Sequence, residues 1–364
     1  MRERNVNSAG LSAMLAAVCL ALCLALPSPV RRTLMLAAAH AALPEGSIAA
    51  LRAVRTSAQP DSPAAVLSET LPDVLPQDVT QTPEDISAWI REAEQNAVNE
   101  KKDGDIREKT YGANWATESF RGLQIRNVTE GVRAGYGDAW DGALPLVIDK
   151  TKPAVLLYHT HTTEGYETLD RNWYAADVSS RTEDARRSVV RVGSAIAEEL
   201  TRAGFAVLHD TTIHDRKYNG AYDRSRQTVQ SYLERYPGLC VTLDVHRDAI
   251  EQDNGVKIKP VCTIAGKKAA QIMLITGAEG GRVERFPDWR QNLAFALRVQ
   301  DACETASPGL MRPIFFCHRK YNMDMTPCSL LVEVGSEANT LEEAVYAGRL
   351  FGRALASMLE AYTL

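Results

Sequence analysis

Three short apolar runs, the first beginning at Val155, end in, or enclose, ionisable side chains. Val155-Leu156-Leu157-Tyr158 runs into His159-Thr160-His161-Thr162-Thr163-Glu164, and Cys240-Val241-Thr242-Leu243 runs into Asp244-Val245-His246-Arg247-Asp248. The third, Ser329-Leu330-Leu331-Val332-Glu333-Val334-Gly335, carries a lone carboxylate where a buried strand is expected to be apolar. Ionisable groups are rarely buried without a partner, because taking them out of water is costly. Strands that each deliver such groups point to one site where they converge. Two histidines, a carboxylate and a further acid are the parts of a hydrolytic zinc centre.

The pattern around these runs predicts the fold. Strand Val155–Tyr158 precedes a helix expected over 183–203, with Val189, Val192, Ile196 and Leu200 on its apolar face and Gly204 as its stop. Strand 205–208, a helix over 221–235 and strand 240–245 follow, then strand 271–276, helix 289–304 and strands 314–317 and 330–334. Thr340 and Glu343 are spaced as a capping box for a final helix running to Tyr362. Alternating strands and helices imply an α/β fold with a mostly parallel sheet and helices on both faces. Ligands of such sheets bind beyond the carboxyl ends of strands, where His159, His161, His246 and Glu333 fall.

The first part of the chain reads differently. Beyond Arg2 and Arg4 it is uncharged from Val6 to Val30, with a dense apolar core from Leu11 to Leu26. About 20 apolar residues suffice to span a bilayer as a helix, so residues 1–30 are expected to anchor the chain with everything downstream exported. A cleaved signal peptide is the rival reading, given the small residues around Ala38-Ala39-His40-Ala41-Ala42. Residues 31–119, broken by Pro60, Pro63, Pro72, Pro76 and Pro83, read as a tether with a short helix over 85–103. Residues 120–152 read as a small lead-in, and 153–364 as the catalytic domain. A net charge of −5 with scattered basic residues gives no footprint for nucleic acid. None of the seven cysteines has CxxC spacing, and buried free thiols are the expectation for Cys240, Cys262, Cys303, Cys317 and Cys328.

Within the cluster, the paired His159 and His161 would share one side of a continuing strand. They can supply two metal ligands, or one ligand and one group that orients it. His159, nearer the rigid strand, is the first choice as ligand, but the alternative stays open. Glu164 can curl back to the same ion, and His246 completes the set. Glu333 is the natural general base. Arg247 and Asp248 either pair locally or bind substrate carboxylates. His209-Asp210 and His214-Asp215 flank a polar turn and read as non-catalytic.

These residues resemble a known family. Tyr158-His159-Thr160-His161-Thr162-Thr163-Glu164-Gly165-Tyr166 is similar to the opening motif of the stage II sporulation protein P family. The likeness continues through Asp244-Val245-His246-Arg247-Asp248-Ala249 and Leu331-Val332-Glu333-Val334-Gly335 to Asn339-Thr340-Leu341-Glu342-Glu343-Ala344. It covers about residues 150–364. The resemblance implies an amidase-like domain on a membrane anchor, outside the cytoplasm at the septum and forespore. It implies a zinc-dependent N-acetylmuramoyl-L-alanine amidase, also cutting peptide cross-links, with peptidoglycan as substrate. Stage II sporulation proteins D (SpoIID) and M (SpoIIM) are the implied partners. Carried over, the metal shell is His159 or His161, then Glu164 and His246, with Glu333 as base. Two other classes compete: a barrel amidohydrolase or phosphoesterase using the H-x-H pair, and a wall-binding protein without activity. The barrel needs roughly 250 residues and eight strand–helix units, more than the segment from 153 offers.

Overall fold

A computed structural model describes residues 79–97 and 101–364, all within one compact unit running from Leu75 to Leu364. The chain enters through helix α1 (Glu84–Asn96), strand β1 (Gly104–Lys109), the hairpin β2 (Glu118–Phe120) and β3 (Leu123–Asn127), and short helix α2 (Tyr136–Asp141). Strand β4 (Val155–Tyr158), two-residue β5 (Trp173–Tyr174), helix α3 (Val189–Arg202), strand β6 (Val207–His209), helix α4 (Ala221–Arg235) and strand β7 (Val241–Asp248) follow. The hairpin β8 (Lys257–Ile264) and β9 (Lys267–Ala270), strand β10 (Ile272–Gly277), helix α5 (Trp289–Ala306), strands β11 (Ile314–Cys317) and β12 (Cys328–Ser336), and helix α6 (Leu341–Leu359) complete it.

Eight strands form the main sheet in the order β2-β3-β11-β10-β12-β7-β4-β6. Its β12, β7, β4 and β6 are mutually parallel, as are β10, β11 and β3; β10 meets β12 antiparallel, and β2 meets β3 likewise. The sheet is open, with β2 and β6 at its edges, which removes the barrel reading. Alternation assigns the faces. Val155 and Leu157 point into the large core with Val192, Ile196 and Leu200 of α3, whereas Leu156 and Tyr158 pack with Val229 of α4. Helices therefore cover both faces, and each fully buried Val, Ile or Leu stabilises the fold by roughly 1.5–3 kcal/mol. Helix α6 begins at the expected box: Thr340 Oγ1 accepts from the Glu343 amide at 3.1 Å, and Glu343 Oε2 from the Thr340 amide at 3.1 Å. It lies so close to α3 that a Cβ at Gly352 would stand 3.0 Å from the Ile196 carbonyl.

The domain boundaries expected from sequence need correction. The expected break at 153 has no counterpart, since β3 pairs with β11 inside the main sheet. Part of the expected tether is also folded: β1 lies between β5 and β8 in a second sheet ordered β5-β1-β8-β9, and α1 buries Ile86 against the core. Buried Lys259 of β8 ties this sheet to the rest, 2.7 Å from Glu343 and 2.5 Å from Asp170. The expected anchor, residues 1–30, lies outside the described residues. Among those described, no helix is long and apolar enough to cross a membrane.

Candidate active site

The carboxyl ends of β4, β7 and β12 come together. Strand β7 lies between the other two in parallel register, with Tyr158 opposite Asp244 and Glu333 opposite His246. Neighbouring strands are about 4.8 Å apart, so Glu333 and His246 are side by side on the face covered by α4. Past Tyr158 the chain turns, and Asp244 pins the turn by accepting from the Thr160 amide at 2.8 Å and the Thr160 hydroxyl at 2.6 Å.

That turn separates the two histidines. His161 comes to the α4 face, its ring 5.4 Å from that of His246 and nearly perpendicular to it. His159 goes to the other face and packs beside α3, where a Cβ at Gly193 would meet its ring at 2.7 Å. His159 Nδ1 donates to the Val245 carbonyl at 2.8 Å, which makes Nε2 the acceptor, 2.9 Å from His209 Nε2. Both ring nitrogens are engaged away from His246, so the first choice of ligand made from sequence does not match the geometry. His161 is the histidine that faces the site.

Glu164 lies on a ribbon. Residues 163–165 pair with 180–182 through Thr182 N to Thr163 O at 2.8 Å and Gly165 N to Ser180 O at 2.9 Å. Glu164 Oε2 stands 3.4 Å from His246 Nδ1 and accepts from the Arg247 amide at 3.1 Å. His246 thus sits between two carboxylates, with Nε2 2.8 Å from Asp244 Oδ1 yet without hydrogen-bond alignment. Burial opposes its protonation, but Asp244 and Glu164 outweigh that and hold His246 well above the usual imidazole range. Burial and the neighbouring His246 hold His161 below that range. Burial also works against a charged Glu164, but His246 and Arg247 prevail and hold its carboxyl low. Glu333 is pushed up to about 8, by burial first and the charge of Asp248 second.

Three buried polar atoms here have no hydrogen-bond partner: His161 Nδ1, His246 Nε2 and Glu333 Oε2. His161 with its unpartnered Nδ1, the Nδ1 edge of His246 and the Glu164 carboxylate beside it are the donor types that zinc takes, so in donor chemistry the residues fit the metal the sequence pattern implies. Among the described residues, no group of three or more His, Cys, Asp or Glu side chains is placed to hold a metal ion.

Arg247 and Asp248 do not face the site as free substrate-binding groups. Buried Arg247 donates to three main-chain carbonyls: Gly165 at 2.9 Å, Ser180 at 3.0 Å and Asp248 at 3.2 Å. Asp248 Oδ2 accepts from Arg312 at 2.9 Å. Two residues without a role in the sequence reading do reach the site. Asp215 lies 3.9 Å from His161 Nδ1, accepts from Thr163 Oγ1 at 2.8 Å and pairs with Arg181 at 2.6 Å, and Arg181 is also 3.7 Å from Glu164. An acid directly after buried His214 was the available signal for Asp215; nothing in the sequence pointed to Arg181.

The fold and the site define an open α/β protein with a histidine–glutamate–histidine cluster at the ends of parallel strands. The sequence matches the family "Stage II sporulation protein P (SpoIIP)" over residues 61–356, and the chain belongs to that family. It is 28% identical over 204 residues to the stage II sporulation protein P of Bacillus subtilis (strain 168). That match covers 53% of this chain and 47% of the relative, so the chain spans about half the length of the curated relative it matches. Among solved structures it is similar to the CwlD amidase from Clostridioides difficile in complex with the GerS lipoprotein, with a TM-score of 0.36, 12% identity, and coverage of 58% of this chain and 100% of that one. It is likewise similar to the N-acetylmuramoyl-L-alanine amidase AmiC2 of Nostoc punctiforme, with a TM-score of 0.34, 12% identity, and coverage of 58% and 96%. Likeness at this level bears on neither activity nor ligands.

Proposed function

We propose that this chain is a zinc-dependent peptidoglycan hydrolase of sporulation, cutting the amide between the lactyl group of muramic acid and the stem peptide. The observation that supports this most is the convergence of His161, Glu164 and His246 with Glu333 in register beside His246. His161, Glu164 and His246 would hold the metal. Zinc in such a site supplies Lewis-acid polarisation of the substrate amide and makes water a nucleophile near neutral pH. With the charge of a metal held there, Glu333 would come down from the value of about 8 that burial sets. The ionised Glu333 would take the proton of the attacking water at its unpartnered Oε2 and pass it to the leaving amine. Tyr222 closes the site on one side, its ring 6.4 Å from His246 and 10° from parallel. Cleavage of peptide cross-links, attachment through residues 1–30, action outside the cytoplasm, and work with stage II sporulation proteins D and M belong to the same proposal.

The test is to digest purified peptidoglycan with the full chain and identify the released fragments by mass spectrometry. The reading expects new free L-alanine amines, about one zinc per chain, loss of activity on chelation and recovery with zinc. Fragments with free amines only at the cross-links would replace the amidase by an endopeptidase. Tight binding with no release would favour the wall-binding alternative.

A further inference from the structure

The loop from β6 to α4 ends in Lys217-Tyr218-Asn219-Gly220, and Tyr218, at 61% exposure, is the only exposed aromatic among the described residues. Its ring lies flat on His161, with centroids 4.7 Å apart and planes 2° from parallel. An exposed tyrosine is usually free to move, and a fixed one is usually buried. Tyr218 is exposed, yet its ring is stacked and its loop is held. The Arg224 guanidinium grips its loop, donating to the His214 carbonyl at 2.6 Å, to the Asn219 carbonyl at 3.3 Å and to the Lys217 carbonyl. Gly220 then turns the chain into α4 at φ 82°, a conformation glycine adopts without a Cβ clash.

The opposite side of the site is framed in the same way but recessed. Tyr321 stacks on Tyr222 at 5.1 Å. It is held by a turn in which Tyr321 and Asn322 both take positive φ, at 44° and 60°. Such conformations are unfavourable in non-glycine residues and persist only where the surroundings impose them. Here Asn322 Nδ2 donates to the Tyr222 carbonyl at 3.0 Å and to Ser225 Oγ at 3.1 Å. Aromatic rings therefore flank the His161–His246 pair on both sides, with Tyr218 exposed and Tyr222 and Tyr321 half-buried.

A ring already immobile in water loses little freedom when a ligand covers it, so its burial adds almost undiminished to affinity. The surface it offers is flat and apolar with a polar tip, which complements the C–H face of a pyranose ring. The guanidinium that stands over the edge of this stack does not redirect this choice. Arg181 lies 5.3 Å from the Tyr218 ring, but Asp215 and Glu164 already take up its charge.

We propose that Tyr218 is a specificity-determining residue whose open face receives a sugar ring on the glycan side of the scissile amide, favouring glycan-linked substrate over free peptide. The inference rests on the amidase reading of the site but concerns binding rather than chemistry. It is tested with the zinc-loaded full chain and its Tyr218→Ala and Tyr218→Phe variants, on a glycan-linked muropeptide and on an acyl-L-alanyl peptide lacking sugar. Tyr218→Ala is expected to raise KM on the glycan-linked substrate by about 10–50-fold while kcat stays within about threefold. Zinc content and KM on the sugar-free amide stay unchanged, and Tyr218→Phe, which keeps the ring, restores KM. An unchanged KM, an equal rise on both substrates, or zinc loss in Tyr218→Ala overturns the inference. Calorimetric binding of the glycan-linked muropeptide to Glu333→Gln and to Glu333→Gln/Tyr218→Ala separates the two readings. Tyr218-dependent binding by a chain whose parent releases no fragment leaves this inference standing and sinks the amidase. Tyr218-independent binding beside an active parent sinks this inference alone.

Discussion

His159 and His161 differ in sequence position by two, and a continuing strand would have turned both to the same side. The strand ends at Tyr158, and the turn held by Asp244 sends one imidazole to each face of the sheet. Period-two reasoning therefore identified the right pair of residues but could not say which would face His246, because that depends on where β4 stops. Metal analysis of single variants checks the outcome. His161→Ala should lose zinc, whereas His159→Ala should keep zinc but lose about 1–3 kcal/mol of stability, because His209 and the Val245 carbonyl are left buried without a partner. Zinc loss in His159→Ala with full occupancy in His161→Ala would reverse the assignment. Glu333 was legible in sequence for a simpler reason, as the one carboxylate in an apolar strand. Glu333→Gln keeps the shape and removes the proton acceptor. Turnover should fall by about 10²–10⁴-fold with fold and zinc retained; near-normal hydrolysis would make Glu333 structural.

At the level of elements, periodicity found β4, β6, β7, β10, β11 and β12 of the main sheet and the helices α3, α4 and α5, but did not place β2 and β3 there, and the Thr340–Glu343 spacing found the start of α6. The second sheet escaped it. Strand β8 pairs parallel with β1, from Ile106 opposite Lys257 to Lys109 opposite Pro260, so its partner lies far away in sequence within what composition marks as tether. Contacts of that kind leave no local pattern. The ribbon carrying Glu164 is a second case, since its pairing is a single isolated bridge, Glu164 to Arg181, too short for an alternation signal. Arg247 replaces the missing length by bonding to carbonyls on both sides of the ribbon. Arg247→Met would keep much of the side-chain volume and leave those carbonyls unmatched. The prediction is a chain that still folds but binds zinc about 10–100-fold more weakly, the range for losing a group that orients a metal ligand. Competition with a chelating dye measures this, and unchanged zinc affinity would show that the ribbon holds Glu164 without Arg247.

For the molecule as a whole, a neutral histidine pair buried between the sheet and α3 links stability to acidity. His159 donates to Val245 and accepts from His209 at Nε2, so the bond requires an uncharged His159, while burial disfavours a charge on His209. Burial, opposed only by Asp210, pushes His209 down from 6.5 to about 4, and burial together with His209 holds His159 well below the same reference. In the unfolded chain both rings titrate near 6.5. Above that value neither state binds a proton, and the packed pair contributes its full share. As pH falls below about 6.5 the unfolded chain takes up protons that the folded chain refuses, and stability drops by up to about 1.4 kcal/mol per pH unit for each ring. For His209 the loss levels off near its folded value of about 4. Glu333, which keeps its proton up to about 8 in the folded chain, opposes this by up to one proton. Thermal unfolding of the metal-free chain should therefore show a midpoint that falls between about pH 6 and pH 5, where the unfolded histidines take up their protons. His209→Gln, which can still donate to His159 Nε2 but does not titrate, should lower the midpoint at pH 7 and flatten the decline by about one proton's worth of slope. A wild-type midpoint that is level from pH 7 to pH 5, or a variant as acid-sensitive as the parent, would mean that the histidine pair does not control the acid limb.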